Sequence, residues 1–166
     1  MSMESLLTAI QNLPLAADIR GESTGTEWLF PIIETLHVLT LTVVFGSIVM
    51  VDLRLVGLTG RGTSITRLAD ETLPWTWTAW VLSAITGTLM FMSKAVTYFG
   101  NLQFRMKFIF MALAGVNMLI FHFGAYRKVA QWDKGMPPTG ARTAGALSIG
   151  FWLAVIFFGR WIGFTT

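Results

Sequence analysis

LFPIIETLHVLTLTVVFGSIVMVDLRLVGL, residues 29–58, decides the fold. It stays apolar for longer than the roughly 20 residues a transmembrane helix needs. Within it only Glu34, His37, Asp52 and Arg54 are ionisable. Three more runs of this kind follow, 73–99, 104–126 and 141–164. Lipid cannot satisfy loose backbone groups, so runs this long and this continuous read as helices. Their connections are short, so sequence neighbours are expected to pack as antiparallel neighbours. The expected fold is all-α: a four-transmembrane-helix bundle over residues 28–166. Residues 1–27 are expected to form an N-terminal interfacial segment, because Leu6, Leu7, Ile10, Leu13 and Leu15 are apolar but Pro14 interrupts them. Such a segment is too short to span and suits a short amphipathic helix lying in the membrane interface.

Composition supports this reading. Of 166 residues, 54% are hydrophobic and 13% are charged, with seven Trp and 13 Phe. A soluble domain carries about 25% charged residues, so this chain could not cover a wet surface. Disorder, a nucleic-acid module and an ordinary soluble enzyme are excluded. The net charge of +3 does not suggest nucleic acid, because the basic residues lie between apolar runs rather than in one patch. There is no Cys, which removes disulfides, thiolate metal sites, iron–sulfur clusters and covalent c-type haem. Trp28, Trp75, Trp77, Trp132 and Trp161 fall near expected membrane boundaries, as an aromatic belt would. Arg54, Arg61, Arg67, Arg127, Lys128, Lys134 and Arg142 flank one side; Arg20, Lys94, Arg105, Lys107 and Arg160 belong to the other. The excess points to both termini outside, periplasmic if the membrane is a bacterial inner membrane.

Ionisable groups inside a membrane usually mark function. On a helical wheel Glu34 and Asp52 each fall within about 60° of His37. The third run carries Lys107, Met111, Gly115, Met118 and His122 on one stripe; the second carries Thr76, Trp80, Ser83, Gly87, Met90 and Lys94. Arg142 and Arg160 are a whole number of turns apart. By helical rise, His37 and His122 differ in depth by roughly 20 Å, so one small cofactor cannot use both within a chain. Two levels remain. His37 shares a level with Met90 and Met111, with Glu34, Lys94, Lys107 and Arg160 slightly nearer the outer surface. His122 shares the other with Asp52, Arg54 and Arg142. An imidazole for iron with cations for propionates is what a b-type haem needs. Each of these residues also has a plainer reading. A membrane histidine often bridges helices, methionines pack, and lysines and arginines snorkel. Glu34 and His37 have the i, i+3 spacing of helical metal sites, but copper or zinc would need further ligands from a second subunit.

Residues 29–39 (LFPIIETLHVL) and 51–57 (VDLRLVG), with Phe121-His122, Tyr126-Arg127 and the closing Gly159-Arg160-Trp161-Ile162, resemble an uncharacterised family of small four-helix bacterial inner-membrane proteins. The resemblance covers most of the chain from Trp28 onward. It implies that Glu34, His37, Asp52, Arg54, His122 and Arg160 are the family's polar positions, and it implies no activity. In layout the chain is also similar to four-helix membrane cytochromes b, which pair histidines at matching depths; this sequence does not.

The functional expectation is a haem b protein for electron transfer or small-molecule redox chemistry, with up to two haems per chain and a quinone or redox protein as partner. Its candidate binding residues are His37, His122, Met90, Met111, Arg54, Lys107, Arg142 and Arg160. The candidate metal ligands are His37, His122 and Glu34. The alternatives are a transporter or proton-conducting subunit using Glu34, His37, Asp52 and His122, and a structural partner of a membrane complex. A homo-oligomer is expected because glycines such as Gly46, Gly87, Gly115, Gly150 and Gly159 suit close helix contacts in lipid. No nucleotide loop, nucleophile–base pair or zincin motif is present. No catalytic residue is assigned, and any redox activity would be carried by the cofactor.

Overall fold

A computed structural model describes residues 2–59 and 62–165. They are α-helical, with no strand among them. Four long helices form the body: α3 (Leu29–Val56), α4 (Ile65–Ser93), α6 (Leu102–Phe123) and α7 (Thr139–Thr165). Short helices α1 (Met3–Gln11), α2 (Pro14–Ile19) and α5 (Ala95–Gly100), and a 3-10 segment over Ala125–Gln131, complete the chain. Three helices, α3, α6 and α7, are long and apolar enough to cross a membrane.

The helix ends differ from expectation for local reasons. Gly57, at φ +89°, ends α3 and donates to the carbonyls of Leu53 and Arg54; glycine takes this left-handed position freely. Ser64 caps α4 by accepting from Arg67 N–H. The helix therefore begins at Ile65, about two turns before its apolar run. It stops at Lys94 (φ −144°, ψ 50°), so the expected run to Phe99 is split into α4 and α5. Asn101 caps α6 by accepting from Phe104 N–H. α6 ends at Gly124, where a Cβ would fall 2.7 Å from the Ile120 carbonyl oxygen, so Tyr126 lies beyond the helix.

The closest helix pairs are α3 with α4, α6 with α7, and α3 with α7. The α3–α4 seam follows a heptad. Ala69, Thr72, Thr76, Ala79, Ser83, Thr86, Met90 and Ser93 run down α4 in alternating steps of three and four. Small side chains let backbones approach, and hydroxyls join helices where water is absent. Thr76 donates to Ser47 Oγ at 2.7 Å across the seam. The same Ser and Thr residues make α4 less apolar than the other three helices.

Midway, Val44, Ala79, Ala114, Trp152 and Val155 form a core to which all four long helices contribute. Met111 packs on it. Toward one end, Leu55, Ile65, Trp132 and Ala141 form a second cluster. Trp132 is thus a core residue rather than a member of a belt, whereas Trp28, Trp75, Trp77 and Trp161 are exposed. At the opposite end the N-terminal helices dock on α4 and α5. Arg20 donates to the carbonyls of Gln11 (2.7 Å) and Ser93 (3.1 Å), and Val96 N–H donates to Gln11 Oε1.

Candidate functional site

His37 sits in the third turn of α3 and lays its ring in a notch of α4. Its Nδ1 is 3.0 Å from Thr86 Oγ1 and 3.4 Å from Ser83 Oγ. The notch exists because residue 87 is glycine: a Cβ there would lie 3.0 Å from His37 Cε1. Thr86 Oγ1 is already placed to donate to the carbonyls of Leu82 (2.9 Å) and Ser83 (3.1 Å). A hydroxyl has one proton. With that proton directed at the α4 backbone, Thr86 accepts from His37 Nδ1–H. This assignment from the hydrogen-bond pattern leaves the Nε2 lone pair free.

Lys107 of α6 approaches from the other side. Its Cδ, Cε and Nζ would lie 3.6–3.8 Å from a Cβ at Gly159 of α7, so the side chain runs against that helix. Its charge is close enough to act on His37. Among the described residues it has no ion pair. α4 and α6 do not pack closely along this side; Phe91 of α4 stacks on Phe104 of α6 at 5.4 Å, and Tyr98 of α5 stacks on the same ring at 6.1 Å. Met90 follows Thr86 by one turn on the same face of α4 and is half-buried. Glu34 and Arg160 are exposed, and the Arg160 guanidinium lies over the Phe164 ring at 4.9 Å. Among the described residues no three of His, Asp and Glu converge as a metal site.

The other level is built differently. His122 is exposed, stacked on Tyr126 at 5.3 Å and edge-on to Phe123. Arg54 is only 2% exposed. It donates to the carbonyls of Thr63 (3.0 Å), Asp133 (3.3 Å) and Gly135 (3.0 Å), tying both loops at this end together. Asp133 accepts from Ser64 Oγ (2.6 Å) and from Thr66 N–H (2.9 Å), so it caps the start of α4 from the α6–α7 connection. The Ser64 hydroxyl first, then the Thr66 N–H, hold its carboxylate below the ordinary range. Arg142 is exposed in the first turn of α7. The structure thus brings His37 and Lys107 together with Ser83, Thr86 and Gly87. It commits Arg54 to three carbonyls and leaves His122 and Arg142 on the surface. Thr86, the residue that orients His37, was missed in the sequence. A heptad count along α4 would have placed it on the packing face of that helix.

Three apolar helices of membrane-crossing length, packed with α4 around a half-buried imidazole, put the chain in the class of multi-pass membrane helical proteins. It belongs to a family of unknown function, DUF6644, whose profile matches residues 25–165. No curated protein and no solved structure matches it.

Proposed function

We propose that this protein is a multi-pass protein of the bacterial inner membrane that binds haem b through His37. Its role is electron transfer or small-molecule redox chemistry, with a quinone or redox protein as partner. The observation that carries this reading is the contact of His37 Nδ1 with Thr86 Oγ1 and Ser83 Oγ, from which the tautomer is assigned. Nδ1–H is held by Thr86 and Ser83, so Nε2 presents a lone pair in a fixed direction. A second-shell acceptor of this kind raises ligand basicity and fixes ring orientation. Lys107 supplies a cation for a propionate, and the loosely packed side between α4 and α6 gives an approach from lipid. Haem when bound supplies a one-electron iron couple; the chain binds, orients and excludes water.

On this reading α4 is the fourth span, with exposed Arg67, Asp70 and Glu71 in the aqueous layer at its start. α1 and α2 lie in the interface, where exposed Met3, Leu6, Leu13 and Leu15 meet lipid. The end carrying Arg54, Arg67, Arg127, Lys128, Lys134 and Arg142 faces the cytoplasm, and both termini face the periplasm. A second haem at His122 needs a neighbouring subunit, because that ring stands on the outside of the bundle. A homo-oligomer therefore accompanies a two-haem stoichiometry. Gly46, Gly115 and Gly150, which have open space at their Cβ positions, are the close-contact points for it.

The test is the reduced-minus-oxidised spectrum and pyridine haemochrome of protein purified from haem-replete cells with no haem-binding tag. A b-type spectrum lost in His37→Ala supports the reading. A colourless preparation that takes up no added haemin overturns it.

A further inference from the structure

We propose that Asp52 forms a second site, independent of His37, that binds a monovalent cation between α3 and α7. Asp52 is 6% exposed, and its Oδ2 is buried without a hydrogen-bond partner. Among the described residues it has no ion pair. The charged groups on every element around it are spent or outside. Arg54, on its own helix, is committed to the carbonyls of Thr63, Asp133 and Gly135. On α4, Arg67 pairs with Glu71, and Asp70 is exposed. On α7, Arg142 is exposed, as is His122 on α6. Asp133 of the connecting loop accepts from Ser64 and Thr66.

What faces the Asp52 carboxylate is neutral. Ser148 of α7 is the hydroxyl within reach of the carboxylate. α7 comes so close at Gly145 that a Cβ there would be 3.0 Å from the Asp52 carbonyl oxygen and 3.0 Å from Leu55 Cβ. Asn117 of α6 spends its amide on the Ala144 carbonyl at 2.9 Å. A carboxylate oxygen sealed away from water without a partner is costly, and native structures rarely leave such an atom empty-handed. Hard cations take oxygen ligands of these types. The shared chemistry is a small cation on a carboxylate oxygen, which a proton or a sodium ion satisfies. The core of Val44, Ala79, Ala114 and Val155 lies between this site and His37, so the two can be tested separately.

The full chain in mild detergent is treated with dicyclohexylcarbodiimide, which reacts with protonated carboxyls in apolar surroundings, and the adducts are mapped by peptide mass spectrometry. Asp52 is expected to react about tenfold faster than exposed Glu71 at neutral pH, a ratio equal to ~1.4 kcal/mol in favour of the neutral form. Its labelling should fall as pH rises. Repeating the reaction in sodium and in choline at equal ionic strength names the guest. Protection by sodium identifies the ion, and pH dependence without sodium protection identifies the proton. Asp52→Asn should abolish the adduct while eluting as the same particle. The wild-type labelling decides the question even if that variant does not fold. Reaction at Asp52 no faster than at Glu71, or indifferent to both pH and sodium, overturns the proposal. Haem content plays no part in the readout, so failure here and failure at His37 remain distinguishable.

Discussion

The two ends of the bundle use ionisable residues in opposite ways. At the His37 end a ring is held by two hydroxyls, an ammonium with no ion pair among the described residues stands near it, and α4 meets α6 through a stacked pair of rings. At the Asp52 end a buried guanidinium is saturated with carbonyls and an aspartate caps a helix across a loop. In the first arrangement the unused bonding capacity lies on a ring and an ammonium; in the second it is confined to one carboxylate oxygen, Asp52 Oδ2. A charge buried in a membrane protein is therefore not by itself a mark of function: among the described residues Arg54 is the most deeply buried charge, and it is architectural. The residues with chemistry to spare are those whose bonds are incomplete, His37, Lys107 and Asp52.

This contrast predicts that substitutions at the two ends fail differently. The largest loss of stability is expected for Arg54→Met, which removes a buried guanidinium and its bonds to three loop carbonyls. A hydrogen bond to a charged group is worth about 1.5–3 kcal/mol, so a loss of about 3 kcal/mol or more is expected. His37→Ala, which frees only weak hydroxyl contacts, should cost about 1 kcal/mol. Thermal unfolding in detergent, followed by tryptophan fluorescence, ranks them. An Arg54→Met protein that melts with the wild type would remove the basis of the contrast.

The glycines sharpen it. Gly145→Ala drives a methyl against backbone and a β-carbon, neither of which can swing aside, so overpacking should cost about 1–3 kcal/mol. Gly87→Ala meets instead the imidazole of His37, the free end of a side chain. It should melt closer to the wild type yet lose the haem spectrum. Equal melting losses in the two variants would show that the His37 notch is as rigid as the α3–α7 contact.

Asp133→Asn is expected to cost about 1 kcal/mol, the usual value of an N-cap side chain. The Asp133 carboxylate is held below its ordinary range in the folded chain. Its contribution is therefore complete above the unfolded carboxylate value and disappears as pH falls through the lower folded value. The variant and the wild type should converge in stability on acidification and separate toward neutrality. A gap that stays constant across the carboxylate range would mean that Asp133 acts through shape alone.

Much of this was legible in the chain, and the misses have physical causes. The apolar runs gave three crossing helices because length and continuity are local properties. α4 was harder: its face toward α3 is Thr, Ser and Ala, so the packing surface looks polar and the run appeared to start at Leu73 rather than Ile65. His37 stood out as a lone imidazole in an apolar run. Its partner Thr86 did not, because pairing across helices depends on the relative rotation of α3 and α4. Arg54 and Arg142 were grouped with His122 by depth alone. Depth follows from helical rise, but the direction of a side chain is set by loops. The carbonyls of Thr63, Asp133 and Gly135, supplied by two loops distant in sequence, claim Arg54. Trp132 looked like a belt residue because it follows a helix end, yet the 3-10 segment folds it back onto Leu55 and Ile65.

The smallest structural change with a readable consequence is Thr86→Val. Valine keeps the shape of threonine and removes the oxygen that accepts from His37 Nδ1–H. Helix α4 loses little, because the hydroxyl bonds to Leu82 and Ser83 only duplicate backbone contacts, and about 0.5–1 kcal/mol of stability is expected to go. Ser83, at 3.4 Å, is too distant to replace the missing acceptor fully. The imidazole is then free to carry its proton on Nε2, and the lone pair needed by iron turns toward the valine methyl. Loss of such an outer-shell partner typically lowers metal affinity by about 10–100-fold. Haemin titration of Thr86→Val against the wild type should show that weakening with a nearly unchanged melting temperature, and Thr86→Ser should restore most of the affinity. If Thr86→Val binds haemin as tightly as the wild type, the α3–α4 hydroxyl contact is only a seam between helices. His37 would then join Arg54 among the residues that build the bundle.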